Sequence, residues 1–537
     1  MESFGKKFPL LGIIAPFLAG AALRLWNLRD QILGGDETHA IRAALNFPLS
    51  RILVTYQVTD NCIPLTALYK LFLIGGLHLS EMLLRLPVLF CGLAALLAMP
   101  AAFEGRLSRG TVLVYRCLLA ISPGLVLYSR IARSYMPMVL FSFGAVMAFE
   151  AWWRTRSCKS GIAYVLLGAL AVWFHLGAGP IVAAPFLFAA ADALTRRERL
   201  GRDLRDLIFL GLALTAAFGL FLVPALGSLL KVVTSKHIEQ SIPGTTFFDV
   251  LRLQAGTSAI WLTLAFWLVV LAGLALFVRR DRRLALFTVT VVAGHVAGLL
   301  ILSPFGLASP VIFGRYLLPV LPFVLLWAAN AFLPVAIPLL VALLMGGPFA
   351  DPDARHTSFL HHNDFVGFYR ARPKVSPEMV PGFYRQLHGE TVVEFPWLLA
   401  WDANRTFYLY QEVHRGRVIV SSLQRLLFQP PLALRNAAAP EPGAICRSGA
   451  RYLIVHRAIA REEDRFGPID PSLRRMLRET TSAFGDRVKA EWGPPAYADP
   501  VLRAWDLRTV CGAAQKAAPA TSASAATASP ATKLPGR

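Results

Sequence analysis

Apolar runs of close to twenty residues recur through the first 347 positions, separated by short polar links, and this alternation constrains the fold more than any other feature. Such a run covers about 30 Å of hydrocarbon as a helix, which satisfies its own backbone groups where water cannot. The segments 8–26, 81–103, 111–129, 134–153, 162–175, 178–194, 207–230, 257–278, 284–302, 311–330 and 332–347 fit the pattern, so about eleven spans are expected. Composition agrees: 55% of residues are hydrophobic and only 16% charged, more apolar side chain than a soluble chain can bury. The expected fold is a polytopic α-helical membrane protein.

Charge placement sets the orientation. The net charge of +21 could suggest nucleic acid, yet the basic residues gather in short links. Arg106 and Arg109, then Arg154, Arg156 and Lys159, then Arg196, Arg197, Arg199, Arg202 and Arg205, and finally Arg279, Arg280, Arg282 and Arg283, each follow an even-numbered span. Lys6 and Lys7 share their side. This distribution follows the rule that cytoplasmic links carry Lys and Arg, so it calls for no nucleic-acid partner. It predicts a cytoplasmic amino terminus and an odd span count that leaves the carboxy-terminal part outside. Segment 8–26 lacks a small-x-small cleavage site and reads as a span, not a signal peptide.

Three polar regions then fall on the outer face: 27–80, whose 64-PLTALYKLFLIGGL-77 suggests helices lying along the membrane; the loop 231–256; and everything after 347. Residues 348–511 have the composition of a soluble α/β domain, with strands expected at 391–396, 417–421 and 451–456 and a helix at 472–484. Its only cysteines, Cys446 and Cys511, could pair in an oxidising compartment; spacing alone leaves this open. The Ala/Pro/Ser/Thr-rich stretch 512–537 cannot build a core and is expected to be disordered.

Several familiar chemistries are missing. There is no CxxC, GxxxxGK[ST] or HExxH, and no strand followed by GxGxxG, which argues against zinc ribbons, P-loop NTPases, zincins and Rossmann dehydrogenases. His356, His361, His362 and Asp364 stand close in sequence, but adjacent histidines on a loop point apart and no further ligand lies at zinc spacing, so no cofactor is expected, and a divalent-metal requirement stays open. The carboxylates Asp36 and Glu37 in 34-GGDETHA-40 follow the first span on its outer side. They read either as a helix start, with Asp36 as cap, or as a general base at the membrane surface.

Segments in order across 8–345 resemble the GT-C glycosyltransferases, the branch that includes protein O-mannosyltransferases and lipid A aminoarabinose transferase. The resemblance rests on 34-GGDETHA-40, 60-DNCIPLTALY-69, 83-LLRLPVLFCGLAAL-96, 128-YSRIARSYMPMVLF-141, His175-Leu-Gly and 314-GRYLLPVLPFVLLWAANA-331. Two positions depart from the pattern: Ile63-Pro64 replaces a doubled proline, and Ile131 replaces an acidic residue.

The resemblance implies a transferase that takes a sugar from a polyprenyl-phosphate carrier to an envelope glycan, lipid or protein acceptor, on the outer face of a bacterial inner membrane. Asp36 would be the base and Glu37 would orient the acceptor or Asp36. Arg315, Arg133, Arg85 and Arg130, at the outer ends of helices, would bind the donor phosphate, for which a planar guanidinium is suited. Asp60, Tyr135, His175 and Tyr316 would line the substrate site. A transporter or flippase of lipid or sugar is the alternative. Nearly charge-free span interiors and the absence of an evident repeat weigh against it.

Overall fold

The structure is a computed structural model of the whole chain. It describes residues 10–26, 28, 37, 40, 43–44, 47–56, 62–77, 81–195, 197–230, 241–257, 259–304, 306–331, 333–346, 380–396, 410, 413–414, 418–419, 442–457 and 471–517. The chain divides into two compact units, Met1–Lys374 and Val375–Arg537. The boundary expected at 347/348 falls outside the described residues.

The first unit is helical: α1 (Leu11–Leu25), α2 (Leu49–Leu53), α3 (Ile63–Ile74), α4 (Glu81–Ala101), α5 (Arg109–Ile121), α6 (Pro123–Tyr128), α7 (Tyr135–Thr155), α8 (Cys158–Phe174), α9 (Gly179–Thr195), α10 (Leu200–Leu222), α11 (Gly244–Ala255), α12 (Ile260–Arg280), α13 (Arg282–Leu302), α14 (Pro310–Tyr316), α15 (Leu321–Ala329) and α16 (Leu333–Gly346). Among the described residues, six helices are long and apolar enough to cross a membrane, or seven if α14 and α15 count as one span bent by 49°. The other expected spans correspond to shorter helices. α1 has 15 residues, α8 has 17 and α16 has 14.

Two expected spans are interrupted, for the same reason. The run 111–129 breaks into α5 and α6 at Ser122, whose φ of −53° and ψ of 115° are the extended geometry a following proline imposes. The run 311–330 bends where Pro319 and Pro322 remove amides that would have bonded back one turn. A third expectation is corrected in part: the loop 231–256 contains α11, which starts after Pro243 and ends at Gly256, where φ is +78°. Residues 231–240 lie outside the described set.

α7 is the central helix: 72% of its most apolar stretch is buried, against 17–44% for the other long helices. It packs against α8, α4 and α9. Outward faces of the surrounding helices remain apolar, as at Phe90, Leu220 and Ile301, each more than 70% exposed. That is a lipid-facing surface in composition.

At one end of the bundle the basic links close through ion pairs. Arg106 reaches Glu150 at 2.7 Å and Asp281 at 3.6 Å, Arg156 reaches Asp203 at 2.5 Å, and Arg283 reaches Asp192 at 3.6 Å. Arginine clusters from four separate links thus share one end. The start of α7, 21 residues away along that helix, marks the other end at about 30 Å.

The second unit is a five-stranded mixed sheet: β1 (Val392–Phe395), β2 (Val418–Ile419), β3 (Tyr452–His456), β4 (Tyr497–Ala498) and β5 (Leu502–Asp506), in the order β2-β1-β3-β5-β4. β1 runs parallel to β2 and β3, while β5 is antiparallel to β3 and β4. The three expected strands are present; β4 and β5 are additions. α17 (Pro442–Cys446), α18 (Pro471–Trp492) and α19 (Leu507–Ala517) are α-helices of this unit among the described residues, and Phe484 of α18 stacks on Phe395 at 3.9 Å.

Cys446 and Cys511 form a disulfide joining α17 to α19. Residues 512–517, expected to be disordered, continue α19, while 518–537 lie outside the described residues. Inside the sheet, Glu394 accepts from the Tyr384 hydroxyl and pairs with His456 Nε2 at 2.7 Å, all three fully buried.

α12 crosses α15 closely at Gly273. A Cβ at Gly273 would stand 2.0 Å from the Trp327 carbonyl oxygen and 2.9 Å from the Ala331 nitrogen. Gly273→Ala should therefore destabilise the bundle by about 1–3 kcal/mol, read as a lowered thermal midpoint in detergent. Gly201→Ala, which meets nothing within 4 Å, is the control; equal midpoints would refute the close approach.

Candidate functional site

Two residues singled out separately in the sequence are partners. Arg85, in the first turns of α4, meets Glu37 through two parallel bonds, Nε to Oε1 at 2.9 Å and Nη2 to Oε2 at 2.8 Å, with both side chains fully buried. Arg85 Nη1 also donates to the Leu28 carbonyl at 3.3 Å, and the Ala132 amide donates to Glu37 Oε1 at 2.7 Å. One carboxylate thus ties the segment after α1 to α4 and to the turn between α6 and α7.

Away from water such a pair holds only when its remaining hydrogen-bonding positions are also met, and losing one member strands the other charge. Glu37 is engaged here with a cation and an amide, and Arg85 with a carboxylate and a carbonyl. Both side chains are thereby tied into the packing of the first unit. Asp36, the expected base, and Asp60 lie outside the described residues, as do His356, His361, His362 and Asp364.

A second group assembles around the start of α7. Tyr135 packs edge-on against Tyr128 at 5.1 Å and at a tilt of 40° against His175 at 5.4 Å, and His175 meets Tyr316 at 5.9 Å. The guanidinium carbons of Arg133 and Arg315 lie 5.9 and 5.8 Å from the centroid of the Tyr135 ring. Arg315 Nε further donates to the Tyr128 hydroxyl at 3.3 Å. Five expected site residues, Arg133, Tyr135, His175, Arg315 and Tyr316, therefore meet, although up to 183 positions separate them in the sequence. Arg130 is held differently, with Nη1 donating to the Leu23 carbonyl at 2.9 Å.

Local structure explains how each side chain is presented. His175 ends α8 in an extended conformation, and its Nδ1 accepts the Gly177 amide at 3.1 Å. Arg315 and Tyr316 sit at the bend before α15. There the Val320 amide bonds to Leu317 O, and the Tyr316 carbonyl is met instead by His295 Nε2 at 2.8 Å. Gln254 Nε2 donates to the Gly314 carbonyl at 3.3 Å.

Tyr128, Gln254 and His295 were not anticipated. The available signal was a polar residue inside an otherwise apolar helix, which is conspicuous for His295 on α13. Chemically, two guanidinium groups converging on one aromatic ring make a concentration of positive charge in apolar surroundings, an attractive place for a multivalent oxyanion.

Among the described residues no group of three or more His, Cys, Asp or Glu could hold a metal ion. No known protein family matches the chain, and no curated protein matches it significantly.

The buried pair yields a direct test. Arg85→Met should destabilise the protein by about 3–5 kcal/mol, because it leaves the Glu37 carboxylate without its cation. Adding Glu37→Leu should bring stability closer to wild type than the sum of the single changes predicts, a positive coupling in a double-mutant cycle. Strict additivity of the unfolding midpoints would contradict the contact.

Proposed function

We propose that this chain is an inverting glycosyltransferase of the GT-C type, moving a sugar from a polyprenyl-phosphate carrier to an envelope glycan, lipid or protein acceptor. The observation that carries the reading is the meeting of Arg133 and Arg315 at Tyr135. A polyprenyl phosphate keeps its tail in lipid and its phosphate at the interface, so its leaving group needs cations at helix ends facing the membrane surface. The two arginines stand at helix ends, at the start of α7 and in the bend before α15.

In this reading Asp36, next in sequence to the anchored Glu37, takes the proton from the acceptor hydroxyl or amine. The acceptor atom bonds to the anomeric carbon from the face opposite the phosphate, the bond from that carbon to the phosphate oxygen breaks, and the polyprenyl phosphate leaves with the electron pair. Arg133 and Arg315 stabilise the charge gained by the phosphate, which lowers the barrier because they are already in position. One displacement inverts the configuration. Tyr135, His175 and Tyr316 flank the same place. The second unit and residues 231–256 would then select the acceptor.

The same proposal places about eleven spans in a bacterial inner membrane, with the amino terminus cytoplasmic and the disulfide-bearing second unit outside. An oxidising exterior suits the Cys446–Cys511 bond. The basic links at the opposite end of the bundle suit the cytoplasmic side.

The test compares lipid-linked sugars and envelope glycans by mass spectrometry in a deletion strain and in one carrying Asp36→Asn. Both should accumulate the same polyprenyl-phosphate sugar and lose the same glycan decoration. An Asp36→Asn strain that behaves as wild type, beside a deletion that redistributes an unmodified lipid or solute, would favour transport instead. With the substrate in hand, Arg315→Lys should raise the KM for the donor more than for the acceptor, since a point charge replaces a two-pronged donor. Equal effects on both substrates would assign Arg315 to packing.

A further inference from the structure

The turn that carries Arg130 and Arg133 follows directly on the break between α5 and α6, and that break strands backbone groups. The amide that would serve the Leu119 carbonyl belongs to residue 123, a proline without an N–H. The missing donor comes from α1. Arg24, 1% exposed, donates through Nη2 to Leu119 O at 3.2 Å and through Nη1 to Ala120 O at 3.1 Å and Gly20 O at 3.0 Å. A cation at the carboxyl end of a helix is also favoured by the helix dipole.

Capping alone would not require a guanidinium, because a neutral donor could serve the same carbonyls with far less desolvation. The rest of the fork explains the choice. Arg24 Nε donates to Ser129 Oγ at 3.1 Å, and that hydroxyl donates in turn to Leu125 O at 2.5 Å. Ser129 immediately precedes Arg130, whose own guanidinium returns to the carbonyl of Leu23, the neighbour of Arg24.

The α4 backbone closes the other side. A Cβ at Gly92 would lie 2.3 Å from Ser129 Oγ and 3.5 Å from Arg24 Nε, so only a glycine admits the serine in this position. The turn 129–134 is thus fixed near its start by Arg24, Ser129 and Gly92, and in its middle by the bond from the Ala132 amide to Glu37.

We propose that Arg24, acting through Ser129 in the recess left by Gly92, is a positioning residue that sets Arg130 and Arg133 for the phosphate of the lipid-linked donor. This rests on the glycosyltransferase reading above. It assigns to α1 a part in donor binding that comes neither from contact with the donor nor from the carboxylates that follow the helix.

The cleanest probe is Ser129→Ala, which leaves the three carbonyl bonds of Arg24 intact and removes only its link to the turn. Binding of a long-chain polyprenyl monophosphate to the purified full-length protein in detergent is compared with binding of the uncharged polyprenol, with thermal midpoints recorded alongside. Wild type should prefer the monophosphate. Ser129→Ala should lose about tenfold in affinity for the monophosphate, the scale of one hydrogen bond to a charged group, with polyprenol affinity close to wild type and a midpoint lowered only by the buried bond that Arg24 Nε loses. Gly92→Ala, which pushes on Ser129 from the opposite side, should reduce the same preference.

A wild-type protein that binds both lipids equally would remove the transferase reading and this inference with it. If wild type discriminates and both variants discriminate fully, the positioning role alone is overturned. Loss of affinity for both lipids alike would make the Arg24 network structural only and would equally overturn it.

Discussion

A helix broken inside an apolar bundle must find partners for the carbonyls it strands, since neither water nor lipid supplies them. Among the described residues of the first unit, two such breaks stand at Ser122–Pro123 and at the bend between Tyr316 and Leu321. Each is repaired by side chains from a different helix: Arg24 of α1 at the first, His295 of α13 and Gln254 of α11 at the second. The residues with the most chemistry, Arg130 and Arg133 beside one break and Arg315 and Tyr316 within the other, are carried on these irregular segments. A continuous helix would present its side chains around a cylinder; a broken one can aim them at a common point.

Electrostatics divides the bundle along its length. At one end, arginines of the short links are met by Glu150, Asp192, Asp203 and Asp281, in partly exposed pairs that each add little to stability. At the other end the Glu37–Arg85 pair is fully buried, while Arg133 and Arg315 approach an aromatic ring. Burial gives the pair its rigidity, and the neighbouring cluster gathers two guanidinium groups about one ring. The central placement of α7 connects the two, because its first residue, Tyr135, is the ring on which both arginines meet.

The second unit follows ordinary soluble logic. β1 and β3 are mostly apolar runs, apart from the paired Glu394 and His456; their side chains are buried almost throughout, and their alternation with polar links made them legible in the sequence. β4, with two residues, carries too little pattern to be read, and β5 is interrupted by Arg503. The bond between Cys446 and Cys511 spans 65 positions, a pairing that the fold of α17 against α19 decides.

The sequence by itself indicated that the amino-terminal part is built of apolar helices, that its basic links share a side, and that a small α/β unit follows. These are properties of local composition and period, which each segment carries alone. It also named most of the polar residues near the helix ends, one by one. Only the tertiary structure decided that Glu37 and Arg85 are each other's partners and that Arg133 and Arg315 meet at Tyr135. It alone decided that Arg24 completes a helix nearly a hundred positions away. A hydrogen bond between distant segments depends on how the helices pack against one another, which is not encoded in any one stretch of sequence.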